Sequence, residues 1–346
     1  MDRALRDLLR AAQPFGLPLS TRFRGIDVRE GVLFQGPSGW GEFAPFDEYD
    51  DASCARWLAC AVEAAYGNWP WPKRDAVPVN AIIPAVDPRK AAALAYRAYF
   101  SDGCATVKVK VAEIGQTLDD DVARIDAVRS ALKSAGAYEP RIRIDANGAW
   151  SVEEAIVAIR ELDQVAGRLE YVEQPCSSLA ELAAVRARLG VPIAADESIR
   201  NADDPIRAAR SGAADLVVIK VPPLGGVNEA LRIAAAAGLP VVVSSAMDSS
   251  VGLATGVAVA AALDDLRYAC GLGTGALLAD DLVAYPMRPS YGYLRVDRMW
   301  PDPAALERAK QRVTPQRIMW WRRRITRAWN AGAGAKVGDL VRGSLA

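Results

Sequence analysis

Residues 105–111 read Ala105-Thr106-Val107-Lys108-Val109-Lys110-Val111, and the two lysines in this run decide how the chain folds. Side chains alternate across a strand, so Lys108 and Lys110 share one face and the valines take the other. On a solvated antiparallel sheet the lysines would simply turn to water. Here Ala-rich helical patterns flank the run, as in parallel βα units whose sheet is covered on both faces. Two ammonium groups buried in that setting without negative partners are costly. Acids follow at the ends of the next β-branched runs. Asp145 closes Ile142-Arg143-Ile144-Asp145, Glu173 closes Tyr171-Val172-Glu173, Asp196 closes Ala194-Ala195-Asp196, and Lys220 ends Val217-Val218-Ile219-Lys220. Positions 110, 145, 173, 196 and 220 are spaced by about one βα unit each, which gathers them at the C-terminal mouth of a barrel.

The same grammar repeats from Pro78 onward: a short β-branched run, a turn, an amphipathic helix pattern. It predicts strands over Val79–Pro84, Ala105–Val111, Arg141–Ala146, Leu169–Gln174, Pro192–Glu197, Leu216–Val221, Leu239–Ser244 and Arg267–Gly271, with helices over Thr117–Ser134, Ser151–Ala166 and Asn228–Ala237. Eight strands favour an α/β fold of the modified (β/α) TIM-type barrel over a doubly wound open sheet. Residues 1–77 follow a different pattern. Short strands around Leu19–Val28, Val32–Gln35 and Gly39–Gly41 precede a helix over Ala52–Tyr66, so this part reads as an N-terminal α+β capping domain. Asn68-Trp69-Pro70-Trp71-Pro72 forms the junction, residues 78–285 the barrel, and residues 286–346 an extension packing back on the cap. That extension carries one helix over Ala304–Trp329 and a Gly/Ala-rich tail expected to be poorly ordered from about Ala331.

Composition narrows the chemistry. The 346 residues are 51% hydrophobic and 24% charged, enough for a sizeable core. Lys plus Arg and Asp plus Glu number 42 each, so overall charge gives no drive toward nucleic acid. The chain contains no histidine, which removes Ser-His-Asp and Cys-His catalysis and His-ligated metals. Cys54, Cys60, Cys104, Cys176 and Cys270 are scattered without a Cys-x-x-Cys pair, and buried packing in a reducing compartment fits them. Met1–Arg10 lacks the apolar core of a secretory signal, and the smooth apolar run Val251–Leu263 is too short to span a bilayer. These features predict a cytoplasmic protein with no stable membrane insertion and leave the oligomeric state open.

Three carboxylates at one mouth repel one another unless a cation sits between them. A hard divalent ion with oxygen ligands, Mg²⁺ above all, suits Asp145, Glu173 and Asp196. A lysine on either side of a metal-bound carboxylate suggests removal of a proton beside that carboxylate, with lysine as base. Lys108 supplies a second cation on the face of Lys110, and like charge favours neutral Lys110.

Lys-x-Lys, Asp-x-Asn (Asp145, Asn147), Glu-Gln-Pro (Glu173), Asp-Glu-Ser (Asp196, Glu197) and the sixth-strand Lys220 together resemble the enolase superfamily, in its muconate-lactonising subgroup. Without histidine, the branch built on a His-Asp dyad is excluded. Phe23-Arg24-Gly25, Gly39-Trp40-Gly41-Glu42-Phe43-Ala44-Pro45, Val79-Asn80-Ala81, residues 244–253 and Cys270-Gly271-Leu272-Gly273-Thr274-Gly275 resemble its o-succinylbenzoate synthase family. That resemblance implies dehydration of 2-succinyl-6-hydroxy-2,4-cyclohexadiene-1-carboxylate, a small-molecule dicarboxylate, on the route to menaquinone. It implies Mg²⁺, for which Mn²⁺ can substitute, bound by Asp145, Glu173 and Asp196. Lys110 would move the proton, Lys220 would stabilise the enediolate from the other face, and Lys108 completes the catalytic lysines. Asn147 and Glu197 would support the metal ligands, and Arg143, on the face of Asp145, would steady the acids. The alternative on the same scaffold is an N-succinylamino acid racemase or a related epimerase or cycloisomerase.

Other segments admit two readings each. Asp119-Asp120-Asp121 looks like a metal cluster, but it follows Thr117 at a helix start, where acids favour the dipole. Gly271 to Gly275 lacks the strand and long helix of a dinucleotide fingerprint and reads as a tight turn beside the substrate. Ser244 and Ser245 are candidates for contact with a succinyl group, while Asp248 or Ser249 could cap the next helix. Residues 319–329 are basic and aromatic, which raises binding to a membrane surface or nucleic acid. The plainer expectation is a helix whose tryptophans pack on the cap while its arginines face solvent.

Overall fold

The computed structural model describes residues 2–23, 25–199 and 204–343. Seven parallel strands run in the order Val241–Ser244, Leu216–Lys220, Ile193–Ala195, Leu169–Glu173, Arg141–Asp145, Thr106–Lys110 and Ala81–Ile83. Outward β-branched residues, among them Val107, Val109, Ile142, Ile144, Val217 and Ile219, pack against the outer helices in one large core. A smaller cluster of Tyr171, Ala194, Leu216, Val218 and Val242 forms separately from residues on the opposite faces of those strands. The period-two reading of Lys108 and Lys110 therefore matches the sheet.

The expected eighth strand over Arg267–Gly271 is reduced to single bridges. Cys270 pairs with Val79 and Gly271 with Ser244, which closes the ring between the last and first strands. Gly271 N–H donates to Val243 O at 2.8 Å, and Asn80 N–H to Cys270 O at 2.9 Å. The close approach is possible because residue 271 has no side chain: a Cβ there would stand 2.6 Å from Ser244 Oγ. Glycines at 271 and 273 also make a poor strand, and the chain turns at once into a short 3₁₀ helix over Gly273–Leu277. The first expected strand, Val79–Pro84, is shorter than expected, and a separate strand precedes it. Ala76–Pro78 pairs antiparallel with Tyr293–Arg295, and only Ala81–Ile83 joins the parallel sheet.

The outer helices begin where the sequence supplies caps. Thr117 with Asp120, Ser151 with Glu154, and Ser178 with Glu181 form reciprocal capping boxes. Of the acidic triplet, Asp120 belongs to the cap, while buried Asp121 accepts from Ala112 N–H and pairs with Arg124 at 2.5 Å. The triplet is a helix start.

In the N-terminal part, the strands Gln13–Phe23, Ile26–Gly36 and Gly39–Phe43 form an antiparallel sheet covered by the helix Asp51–Tyr66. Gly41 sets the distance, because a Cβ there would lie 1.8 Å from Ala61 O. The single helix expected over Ala304–Trp329 is two, Pro303–Lys310 and Pro315–Ala328. Pro315 cannot continue a helix and instead begins one behind the Thr314 cap. Past Ala331, where a poorly ordered tail was expected, Gly334–Gly343 forms a helix with Val337 and Val341 buried in the same apolar cluster as Trp57 and Leu58. Its small residues permit close packing, which composition alone reads as looseness.

The basic aromatic helix is spent within the chain. Trp321 is buried, and its indole N–H donates to Glu30. The arginines do not simply face solvent: Arg324 is buried and donates to Phe46 O and Tyr49 O, Arg317 pairs with Glu30 and Asp47, and Arg327 pairs with Asp51. Arg322 and Arg323 stay exposed, and Arg322 Nη1 donates to Leu9 O. No helix among the described residues is long and apolar enough to cross a membrane.

Candidate active site

Parallel register sets the acids side by side. Lys110 lies opposite Asp145, Asp145 opposite Glu173, and Glu173 opposite Ala194, the residue two before Asp196. All three acids are buried. Lys110 Nζ stands 2.6 Å from Asp145 Oδ2 and 2.7 Å from Asn147 Oδ1. Lys108 Nζ lies deeper, 2.8 Å from Glu173 Oε1 and 3.2 Å from Asp145 Oδ2. Across the row, Lys220 pairs with Asp196. The structure thus brings all three acids and all three lysines into one row, with the outer two lysines each holding an outer acid.

Charge follows from that geometry. Burial works against the Asp145 anion, but Lys110 and Lys108 outweigh it and hold the carboxyl well below its usual range. Burial also works against the Lys108 ammonium, and Glu173 with Asp145 overcomes it and holds Lys108 well above the ordinary lysine value. Glu173 is pushed upward by burial and by neighbouring Asp145. Its Oε2 is buried with no hydrogen-bond partner among the described residues.

The turns after these strands are braced. Asn147 adopts a left-handed φ of 48°, which asparagine tolerates, and its N–H donates to Asp145 Oδ1 at 3.0 Å. Gln174, also left-handed at φ 41°, accepts from Asp196 N–H at 2.9 Å and from Ser198, and donates to Cys176 O. The side chain of Glu197 lies outside the described residues, as does Arg24. Arg143 is placed away from the three acids: it pairs with Glu170, donates to Asn80 Oδ1 and Ala269 O, and stacks 4.6 Å over the Tyr171 ring. Position 143 shares the inward face but lies two residues before Asp145, and the acid it meets is Glu170, near the start of the next strand where the pairing register shifts.

Ser244 and Ser245 are buried at the end of the seventh strand. Ser244 Oγ donates to Gly271 O, and Ser245 Oγ lies 2.5 Å from Thr274 Oγ1. Ser249 caps the helix Ser250–Ala262, and Asp248 instead folds back to accept from Ala246 N–H. Sequence reasoning assigned no role to Glu42, Arg29 or Gln174. Glu42 and Gln174 sit inside the quoted Gly39–Pro45 and Glu-Gln-Pro segments, so a buried polar residue within a motif was the available signal. Arg29 carried no such signal.

A metal site can be tested on these side chains. As they stand, no three metal-binding groups among the described residues are close enough together to hold an ion. The donor chemistry fits a hard divalent cation: three buried carboxylates, one of them pushed upward by burial and by its acidic neighbour and carrying an oxygen with no hydrogen-bond partner among the described residues. An added cation relieves that push.

Residues 90–301 match the model of the enolase C-terminal domain-like family, and residues 15–65 that of the enolase N-terminal domain-like family. The chain belongs to the enolase superfamily. The o-succinylbenzoate synthase of Thermobifida fusca is 58% identical over 285 residues, covering 82% of this chain and 87% of the relative. That of Mycolicibacterium smegmatis is 51% identical over 322 residues, covering 93% and 96%. Among solved structures, muconate lactonizing enzyme from Pseudomonas fluorescens, complexed with muconolactone, superposes with a TM-score of 0.73 at 22% identity, covering 86% of this chain and 97% of the other. The L-Ala-D/L-Glu epimerase from Bacillus subtilis gives 0.71 at 24%, covering 84% and 96%. These two establish the capped barrel fold of this superfamily.

Proposed function

We propose that the chain is an o-succinylbenzoate synthase, a hydro-lyase that dehydrates 2-succinyl-6-hydroxy-2,4-cyclohexadiene-1-carboxylate to o-succinylbenzoate. The observation that carries the reading is the row Lys110, Asp145, Glu173, Asp196, Lys220, with a lysine at each end of three buried acids. The synthases similar to this chain over most of its length favour dehydration over racemisation.

Asp145, Glu173 and Asp196 would hold Mg²⁺, and Mn²⁺ is a fitting substitute on the same oxygen ligands. When bound, the cation supplies positive charge beside the substrate carboxylate, which makes the neighbouring C–H more acidic. Lys110 takes that proton at Nζ. The resulting ammonium returns it to the departing hydroxyl on the same face, so that water leaves and the ring becomes aromatic. Asn147, bonded to Lys110 Nζ, orients the base. Lys220 faces the ring from the other end of the row and supplies a fixed positive charge, with a cation–π contribution as aromaticity develops. Lys108, sharing Asp145 Oδ2 with Lys110, orients Glu173 and Asp145 from below. Five free, buried cysteines suit a reducing compartment and support work in the cytoplasm.

Purified protein with Mg²⁺ and the cyclohexadiene substrate should yield one o-succinylbenzoate per substrate consumed, followed by absorbance and mass. Substrate that disappears no faster than in buffer refutes the assignment.

A further inference from the structure

The end of the seventh strand runs into a turn over residues 246–249 that its own sequence does not favour. Met247 stands at φ 62°, a left-handed conformation that a residue with a Cβ enters at a cost. Asp248 Oδ2 accepts from Ala246 N–H at 3.0 Å and closes the turn internally. The cap adds contacts from outside the barrel. Arg29, on the second cap strand and buried, donates from Nε to Met247 O at 3.1 Å and from Nη2 to Ala246 O at 3.3 Å and to Ala44 O. Its guanidinium lies 4.3 Å over the Phe46 ring. Glu42, on the third cap strand and also buried, accepts from Ser249 N–H at 3.3 Å and from Ser249 Oγ. Gly252 leaves room for this grip, since a Cβ there would stand 2.8 Å from Glu42 Cδ and 2.9 Å from Asp248 Cβ.

We propose that Arg29 and Glu42 are positioning residues, a two-point clamp by which the seated cap holds residues 246–249 in their left-handed turn and so fixes Ser244 and Ser245 for substrate. The clamp grips the two ends of the turn separately: Arg29 takes the carbonyls of Ala246 and Met247, and Glu42 takes the backbone and hydroxyl of Ser249. Ser244 lies opposite Lys220 in the register, so the clamped segment adjoins the reacting centre. The acids that would hold the cation lie on other strands and are not gripped. Loss of the clamp therefore loosens substrate without loosening metal. The inference rests on the assigned reaction and deepens it.

The test compares wild type, Arg29→Ala, Arg29→Lys, Glu42→Ala and Glu42→Gln. Calorimetry with o-succinylbenzoate on Mg²⁺-loaded protein, and with Mg²⁺ alone on chelated protein, accompanies KM and kcat. Arg29→Ala and Glu42→Ala should each raise KM and weaken product binding at least tenfold, with kcat less affected and Mg²⁺ affinity within twofold of wild type. Arg29→Lys should resemble Arg29→Ala, because an ammonium cannot span the two carbonyls and Ala44 together. Glu42→Gln, which keeps an acceptor for Ser249, should recover most of the loss. If Arg29→Ala fails to fold, the milder Arg29→Lys and Glu42→Ala carry the same reading. Adding Met247→Gly to Arg29→Lys should partly restore KM while lowering Tm, since glycine enters the left-handed region freely and leaves a cavity. Unchanged KM and product affinity in the Ala variants overturns the clamp, as does a parallel fall in Mg²⁺ affinity. A wild-type protein that neither binds product nor turns over substrate would instead overturn the assigned reaction.

Discussion

Replacing Lys110 with methionine should tighten Mg²⁺ binding while abolishing turnover. Lys110 Nζ sits 2.6 Å from Asp145 Oδ2 with its side chain 15% exposed, so a cation using that oxygen must displace an ammonium or share with it. At an effective dielectric constant of about 20, a unit pair at that distance attracts by about 6 kcal/mol. Most of this is offset by the desolvation of the two groups. Exposed pairs retain up to about 1 kcal/mol net, and removing one partner of a buried pair costs about 3–5 kcal/mol. A partly exposed lysine against a buried acid falls between these, at about 1.5–3 kcal/mol. Methionine keeps the length of the side chain and removes the competitor, so Mg²⁺ affinity should rise roughly tenfold to a hundredfold. Calorimetric titration of chelated wild type and Lys110→Met measures this directly. Equal or weaker binding by Lys110→Met would show that Asp145 Oδ2 is not a cation ligand, and the shared-oxygen reasoning would fail.

Lys110→Ala should eliminate synthase turnover, whereas Lys220→Arg keeps a charge opposite the base and should retain a trace, read by initial rates with the same substrate. With an N-succinylamino acid in deuterated buffer, the wild type should incorporate deuterium at the α-carbon far more slowly than it dehydrates its substrate. Comparable rates by NMR would give racemisation equal standing. Burial lifts the Glu42 carboxyl from 4.5 to about 7, with Asp248 adding to the rise and Ser249 and Arg29 opposing it; the buried Cys60 thiol also faces it. The folded state then holds this proton more tightly than the unfolded chain. Glu42 therefore costs stability progressively as pH rises from about 4.5 to about 7, by about 3 kcal/mol, and no further above that. Glu42→Gln should remove that fall, so its urea midpoint relative to wild type should be higher at pH 8 than at pH 5. Parallel pH profiles for the two proteins would contradict the burial argument.

The parallel strands and the row of acids and lysines were legible because period-two alternation and βα spacing fix both the face and the end of a strand at which each residue emerges. The run from Thr106 to Lys110 is the clearest case: two lysines on a doubly covered strand need buried acids, and Asp145 and Glu173 supply them. The closure of the ring was less legible, since Cys270 and Gly271 bridge through backbone at a contact that a side chain at 271 would crowd. Arg143 shows the limit of facing rules. Periodicity places it inside but does not tell the layer, and it meets Glu170 and two tyrosine rings instead of the three acids. The clamp of Arg29 and Glu42 on residues 246–249 joins positions more than 200 apart in sequence, and no local pattern encodes such a pairing.

Metal-dependent turnover tests the central claim most directly. Exhaustively chelated protein is assayed with the cyclohexadiene substrate, and Mg²⁺ is then titrated back while absorbance follows o-succinylbenzoate. The three-acid, two-lysine site predicts no turnover above the uncatalysed rate without metal and saturable recovery with Mg²⁺. Full activity in metal-free protein would contradict it.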